Sequence, residues 1–599
     1  MGQAAGADAE ARTPAAMRYT RSDRVSFSRG RTATAQRPSG PLSRARRRRR
    51  PRAAQNNTHR IRGVMAIDNV FDYSFTLNAG KREAAAPPPV RRIVIVGGGT
   101  AGWMTALIFA QSLIPRGVEI TLLESPAVPT IGVGEGSTPL LRGFFDLLKI
   151  EEAEWMPSCH ATYKCGISFD GWSSKPGFER YFHPFPSMVD IMTLTQFIHN
   201  AEARVRGANL YAHPDRFFLA ARLVAEQRSP KAQEHFPFDV LHAYHFDATL
   251  LGQFLHKKAL ERGVRYKSCH VTHAEVNAEG NIAAVHTREG ETISADLYVD
   301  CTGFSGLLLQ QALKVPFISF QNNLFNDAAV AMPSPLGGQL PSETRSTALK
   351  HGWAWKIPLT NRYGNGYVYS SKFCTADAAE TELRTHLGLL ESDLEARHVK
   401  MKVGRVASPW QANCLAIGLA QGFVEPLEAT ALMVIQYMAM NFLALLERGD
   451  LNEDARQRFN ALVNRNFEGI RDYICTHYKT NSRTDTEYWR ANAANMDLSD
   501  NLKRILSLWV TGKSIVPGLR AQEFGQGYPV MSWFAILAGM GIFPQPQTLR
   551  PPSAQEARYE LSEVDALLQR CAGNYLDHRA ALERIPPARA PLTLQLYFW

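Results

Sequence analysis

The chain has 599 residues, 45% hydrophobic and 21% charged, which are ordinary proportions for a globular protein with room for more than one core. Its net charge of +11 does not belong to the body: residues 1–64 hold 16 arginines, no lysine and three acids, or +13, which leaves −2 for the rest. A nucleic-acid partner would rest on Arg46–Arg50 alone, a run with no interleaved aromatics and no recognition module around it, so none is expected. The eight cysteines are scattered and none forms C-x-x-C or a ligand-spaced cluster, which points to reduced thiols, a cytoplasmic setting and no metal site.

Residues 1 to 88 are rich in Arg, Ala, Ser and Pro without an apolar period, and disorder is expected. The leader superficially resembles a transit peptide and lacks the apolar core of a secretory signal. A second reading makes Met65 the natural start, with residues 1–64 as upstream sequence; the mass of the native N-terminus distinguishes the two. Ala85–Pro89 closes the leader as a stiff linker.

The next stretch organises the chain. Ile93–Val96 is a short apolar run suited to a buried parallel strand, and Gly97, Gly99 and Gly102 follow as G-x-G-x-x-G. Ala101–Leu113 reads as a helix and Glu119–Leu123 as a second strand, ended by Glu124 about 20 residues past the glycines. Gly97 allows the tight turn, Gly99 lets backbone approach a pyrophosphate, and Gly102 lets helix and strand pack closely. N–H groups at the helix start face the phosphates, and Glu124 can accept from ribose hydroxyls. A lone glycine motif is weak; strand, glycines, helix, strand and acid in order predict a dinucleotide site.

Pro129–Pro139 (PTIGVGEGSTP) is a glycine-bearing loop on which a flat ring could lie, and Phe144–Ile150 looks helical. Ala161–Trp172 alternates like a strand and carries Lys164, whose bland reading is a solvated edge residue. His242–Arg262 reads as a helix with a polar start. Val264–Thr272, Ile282–Thr287 and Thr292–Asp300 read as strands of a small sheet that returns to the nucleotide domain, and Asp296–Gly306 ends in a glycine turn. Trp353–Pro358 and Tyr367–Phe373 read as strands, and Cys414–Thr430 as strand, glycine loop and helix start. Ala431–Leu446 is too short and too interrupted to span a bilayer, so no membrane association is expected. Asn452–Leu508 is helical and amphipathic, with aromatics that belong in a core. There is a single G-x-G-x-x-G unit, so a bound flavin would be reduced by something else.

Together these motifs resemble the flavin-dependent tryptophan halogenases. The glycine motif, PTIGVGEGSTP, ATYKCGISF, HAYHFDA, WAWKIP and GFVEPLEAT occur in that family's order over roughly residues 90–545. The resemblance implies an α/β fold: an FAD-binding Rossmann-like domain of the flavin monooxygenase type with a mainly helical substrate subdomain. It places the FAD-binding halogenase domain at 89–445, with a substrate-facing insertion at about 150–240, the helical subdomain at 446–550 and a C-terminal tail at 551–599. It implies FADH2 from a separate flavin reductase, O2 and chloride or bromide as reactants, hypohalous acid passing through a tunnel to a lysine, and an electron-rich arene such as an indole as substrate. A homodimer is a family expectation.

By the same resemblance Lys164 is the catalytic lysine, holding hypohalous acid through an ammonium or forming a haloamine as a neutral amine. Glu428 is the catalytic glutamate, which stabilises the cationic ring and takes its proton; its bland reading is a helix-dipole carboxylate. FAD contacts fall on Gly97, Gly99, Thr100, Ala101, Gly102, Glu124, Ser125, Ile131, Val133, Gly136, Leu419 and Leu432. Halide falls on the backbone of Thr430 and Ala431, where Ala429-Thr430-Ala431 replaces the family's Ser-Thr-Gly. Trp353 and Trp355 shape the tunnel or block flavin-linked monooxygenation, or else are plain core. His183 and Phe185 fall where the family orients the indole, and Glu523 and Tyr528 are the candidates at the amino-acid end. Residues 515–528 lack the adjacent tyrosine pair of enzymes acting on free tryptophan, so a simple indole or a tryptophan within a peptide suits this chain better. The alternatives are a flavin monooxygenase that hydroxylates an aromatic substrate, and a flavin-binding regulator without catalysis.

Overall fold

Arg92–Val96 forms the first strand, β1, in a computed structural model that describes residues 90–127, 134–521 and 527–585. The Arg-rich leader with Arg46–Arg50, the Ala85–Pro89 linker, Ile131, Val133 and Glu523 lie outside the described residues. Ile93–Val96 is buried throughout, as a strand covered on both faces must be. The helix α1, Thr100–Leu113, follows, and β2, Glu119–Glu124, returns parallel to β1. Leu297–Asp300 lies parallel on the other side of β1. Arg265–Ser268 and Cys414–Ala416 extend the parallel sheet outward, and the edge pair Trp410–Gln411 is antiparallel. Helices Ala248–Glu261 and Ala431–Arg448 pack against α1: Trp103 stacks on His256 at 4.2 Å, and Phe109 meets Phe442 at 6.4 Å. The core of this layer is therefore α1 between sheet and helices.

A small antiparallel sheet stands between this layer and the next. Its strands are β3 (Gly134–Gly136), β4 (Thr162–Lys164) and the central Ala243–Asp247. The expected single strand Ala161–Trp172 breaks at Cys165, and its second half, β5 (Gly166–Asp170), joins a seven-stranded sheet. The cause is local: Cys165 N donates 2.7 Å to Ser342 O, and a Cβ on Gly166 would lie 2.3 Å from His183 O. Next to β5 at the edge of that sheet runs β6, Arg180–Pro184, and on its other side Thr344–Ala348, Gly352–Pro358 and Arg362–Tyr369 follow in order. Strand β7 is Arg228–Ala232, and β8 is the central Ala243–Asp247.

The helix expected from His242 thus starts only at Ala248. Tyr244 and Phe246 alternate into the core, and the Asp247 carboxylate caps the helix by accepting from Thr249 N and Leu250 N at 3.0 and 3.1 Å. The expected strand Thr292–Asp300 divides: Thr292–Ile293 joins Val271–Val276 and Ile282–Thr287 in a small sheet, while Leu297–Asp300 joins β1. Helices Glu453–Lys479, Glu487–Ala494 and Asp500–Val510 supply the helical half, whose aromatics form one core with β5 and β6. The segment expected as a tail folds back: Tyr575–Asp577 pairs antiparallel with β7, and His578 accepts from Tyr163 N at 3.3 Å. The described residues form one compact unit. No helix among the described residues is long and apolar enough to cross a membrane.

Candidate active site

The nucleotide end is built from backbone. Gly97 has φ +117°, and a Cβ there would lie 2.2 Å from Cys301 O; one on Gly102 would lie 1.9 Å from Gly97 O. Both positions require glycine. A Cβ on Gly99 would meet nothing within 4 Å, and no side chain caps the first turn of α1, which Thr100 and Ala101 begin. Its N–H groups are therefore available to a phosphate. The Glu124 carboxyl sits beside Gly98, where a Cβ would come within 2.1 Å of it; burial raises its pKa, against a Tyr266 hydrogen bond. Ser125 Oγ bonds His270 Nδ1 at 2.9 Å. Gly418, at φ +70°, brings Leu419 beside α1, since a Cβ there would lie 2.7 Å from Ala101 Cβ. Leu432 is buried at the start of the neighbouring helix. Uncapped donors, an open glycine and an acid at the end of β2 fit the dinucleotide part of FAD. Gly136 ends β3 against the lysine: a Cβ on it would be 3.2 Å from Lys164 Nζ.

Lys164 ends β4 and is fully buried. Its Nζ donates to Ser137 O at 3.0 Å and lies 5.6 Å from the centre of the Phe185 ring. Burial pulls its pKa down to about 7, partly countered by the charge of Glu428. The sequence's bland alternative, a solvated edge lysine, does not describe this residue.

Glu428 ends the short turn Pro426–Glu428 and is buried too. His183 Nδ1 reaches its Oε2 at 2.9 Å, and His183 Nε2 pairs with Ser532 Oγ at 2.8 Å. His477 Nε2 lies 3.2 Å from Oε1, within ion-pair reach but not aligned for a hydrogen bond, so Oε1 accepts none from a described residue. Burial raises the Glu428 pKa, but His183 and His477 outweigh it and hold the carboxyl down at about 2. Glu428 is an ionised carboxylate whose Oε1 faces His477. After it, Ala429 takes φ +57°, a left-handed turn costing about 1 kcal/mol for a residue with a Cβ, and Thr430 begins the next helix without side-chain capping.

The structure thus gathers Lys164, Glu428, His183 and Phe185. Phe185 N donates 2.9 Å to Cys165 O, tying the lysine strand to β6. The His183 ring edge is committed to Glu428 and Ser532, so its first duty here is holding the carboxylate. Tyr528 stacks on Tyr473 at 3.7 Å. Trp353 is buried, and its indole N–H donates 2.9 Å to Glu425, three residues before Glu428; Asn326 and Tyr478 donate to the same oxygen. Trp355 lies flat on Gly366, where a Cβ would strike its ring at 2.1 Å. Sequence reasoning missed His477, Ser137 and Glu425. His477 stands among the aromatics of an amphipathic helix, and Glu425 is a second acid in the same motif; neither carries a signal that sets it apart from core.

This fold and glycine turn define an FAD-binding, Rossmann-like oxidoreductase of the flavin monooxygenase type. The profile of the tryptophan halogenase family matches residues 92–554. Tryptophan 6-halogenase SttH of Streptomyces toxytricini is 36% identical over 494 residues, covering 77% of this chain and 92% of SttH. Its crystal structure superposes with a TM-score of 0.72 over 83% of this chain and 100% of that one. Tryptophan 7-halogenase RebH of Lentzea aerocolonigenes is 33% identical over 78% of this chain and 92% of RebH. BrvH, a flavin-dependent halogenase from Brevundimonas sp. BAL3, is 32% identical with a TM-score of 0.71, over 84% of this chain and 100% of BrvH. The chain belongs to the tryptophan halogenase family and is a flavin-dependent halogenase of the tryptophan type.

Proposed function

We propose that this enzyme takes FADH2 from a separate reductase and, with O2 and chloride or bromide, halogenates the indole ring of its substrate through Lys164 and Glu428. The observation that carries this reading is a fully buried amine brought to about 7 and electrostatically coupled to a carboxylate held at about 2. Gly97, Gly99, Thr100, Ala101, Gly102, Glu124, Ser125, Leu419 and Leu432 would hold FAD, and by the family resemblance Ile131, Val133 and Gly136 would join them. Reduced FAD supplies the two electrons that, with O2 and halide, yield hypohalous acid. Uncapped backbone N–H groups at Thr430 and Ala431 hold the halide. Lys164 then donates an N–H to the oxygen of hypohalous acid and polarises the halogen toward the arene. In either protonation state it retains an N–H beyond the one given to Ser137 O. The Glu428 carboxylate stabilises the cationic ring and accepts its proton. His183, through Nδ1, keeps that carboxylate in place, and Phe185 supplies an aromatic face for the indole.

The substrate is an indole carried by a small molecule or a peptide rather than free tryptophan. Residues 515–528 offer no adjacent tyrosine pair, and Tyr528 already stacks on Tyr473. The test supplies purified protein with FAD, an unrelated flavin reductase, NADH, O2 and bromide, and offers indole, tryptophan and a tryptophan-containing peptide. Brominated indole or peptide is expected by mass spectrometry. Lys164→Ala should abolish the product while FAD still binds, and Glu428→Gln should lower the rate about 100-fold. Bromination that survives Lys164→Ala would overturn the assignment of the lysine.

A further inference from the structure

A relay of buried hydrogen bonds fixes the direction of one hydroxyl beside Lys164. In β4, alternation puts Thr162 on the same face as Lys164 and Tyr163 on the other. On the central strand β8, His245 pairs in register with Thr162 on one side and Gly136 on the other, so all three share that face. Thr344 opens the strand Thr344–Ala348 and meets this face from the larger sheet.

The protons can be assigned by elimination. Thr162 Oγ1 donates to Pro358 O at 2.7 Å, since a carbonyl can only accept. With its proton spent there, Thr162 must accept from His245 Nδ1 at 3.0 Å, which puts the ring proton on Nδ1. The opposite nitrogen, Nε2, lies 2.9 Å from Thr344 Oγ1. His245 is fully buried, and burial, with the charges of Lys164 and His578, holds its pKa well below the ordinary value, so the ring is neutral and Nε2 is a lone pair. Thr344 therefore gives its own proton to His245 and has only acceptor lone pairs left for any other partner. Lys164 Nζ and Thr344 Oγ1 both overhang Gly136: from the point where a Cβ would stand they are 3.2 and 3.3 Å away. A donor and an obligate acceptor thus flank one spot that lacks a side chain.

We propose that Thr344 is the second anchor for hypohalous acid, accepting its O–H while Lys164 donates to its oxygen, with Pro358, Thr162 and His245 as the relay that keeps Thr344 an acceptor. This rests on Lys164 being the lysine that holds the acid. Two hydrogen bonds, one from its O–H and one to its oxygen, leave the halogen free to point at the arene. They also explain a link between the WAWKIP strand and the lysine pocket, since the relay begins at the carbonyl of that motif's proline.

The experiment measures brominated indole formed per NADH consumed, together with hypobromous acid escaping to a taurine trap. Thr344→Val keeps the shape and removes the acceptor. It should lower product per NADH about tenfold, raise the trapped fraction and leave FAD affinity unchanged. Thr344→Ser should restore most of the coupling. If Thr344→Val does not yield folded protein, His245→Asn takes its place: it keeps a donor toward Thr162, removes the acceptor of the Thr344 proton, and should shift the same partition. Unchanged partition in Thr344→Val or in His245→Asn, with Lys164→Ala inactive, overturns the role of Thr344 and leaves the lysine reading intact. Normal bromination by Lys164→Ala would instead remove the premise.

Discussion

A buried lysine near neutrality is held at a cost, and the cost has a sign that can be measured. The native Lys164 amine titrates at about 7, against 10.5 when unperturbed. Between those values the unfolded chain binds a proton that the native chain has released, so the lysine makes stability rise with pH across that window. Below pH 7 both states are protonated and the full penalty, on the order of 5 kcal/mol, is present. The groups facing the amine are Glu428, His245, Ser137 and Phe185, and the favourable effect of Glu428 is already contained in the value. Lys164→Met should therefore be more stable than the parent chain at pH 6.5, and its lead should shrink by pH 9.5, as read from urea midpoints at the two pH values. A lead that does not change with pH would mean the native amine titrates like an exposed one. At this scale the sequence was legible where a motif carried the chemistry. Lys164 and Glu428 sit in stretches whose order identifies them. His477, Thr344 and His245 act through partners far away in the chain, and a single polar residue in an apolar run has no spacing that would reveal this.

The elements around the site are fastened from behind as well as from within. Tyr163, on the face of β4 opposite Lys164, donates its hydroxyl to Glu152 at 3.0 Å; Tyr244 on β8 does so at 2.7 Å and Lys231 on β7 at 3.0 Å, while His242 Nε2 lies 3.3 Å away. One buried carboxylate ties three strands together, and those partners outweigh burial and hold its pKa far below the ordinary range. Glu152→Gln would leave the Lys231 ammonium buried without a counter-charge and should cost about 3 kcal/mol in a denaturant titration. The WAWKIP strand plays a comparable part for the glutamate loop. Trp353→Phe keeps the ring and removes the donor to Glu425, so a loss of about 1–2 kcal/mol is expected, with a slower halogenation rate and unaltered FAD binding. Trp353 is thus a core residue that also hydrogen-bonds the glutamate loop, whereas the sequence set tunnel shaping or blocking of flavin-linked monooxygenation against plain core packing. The β1–α1–β2 unit was readable because glycines and an apolar run specify it locally. The break at Cys165 and the strand Ala243–Asp247 were not, because each is decided by a neighbour from another part of the chain. The five residues His242–Phe246 before the Asp247 cap suit a helix start as well as a strand.

For the whole molecule, the sheet layer, the helical layer and the described C-terminal segment belong to one compact unit, so long-range contacts brace the site. The return of Tyr575–Asp577 to β7 spans more than 300 residues, and nothing in the composition of the last 49 residues announces it. Composition did serve at this scale: it separated a basic leader from a nearly neutral body. The scattered cysteines add a final point. All eight are buried with free thiols. An enzyme that handles an electrophilic halogen must spare its own most oxidisable atoms, and thiolates are attacked far faster than thiols. Cys165, the chain neighbour of Lys164, is pushed by burial to a pKa of about 12 and so stays protonated. The native protein should accordingly react slowly with Ellman's reagent and release all eight equivalents only when denatured. Sulfur kept protonated and out of reach gives the catalyst a longer working life: the number of turnovers before self-inactivation is limited by how often the interior opens, not by how much oxidant passes through it.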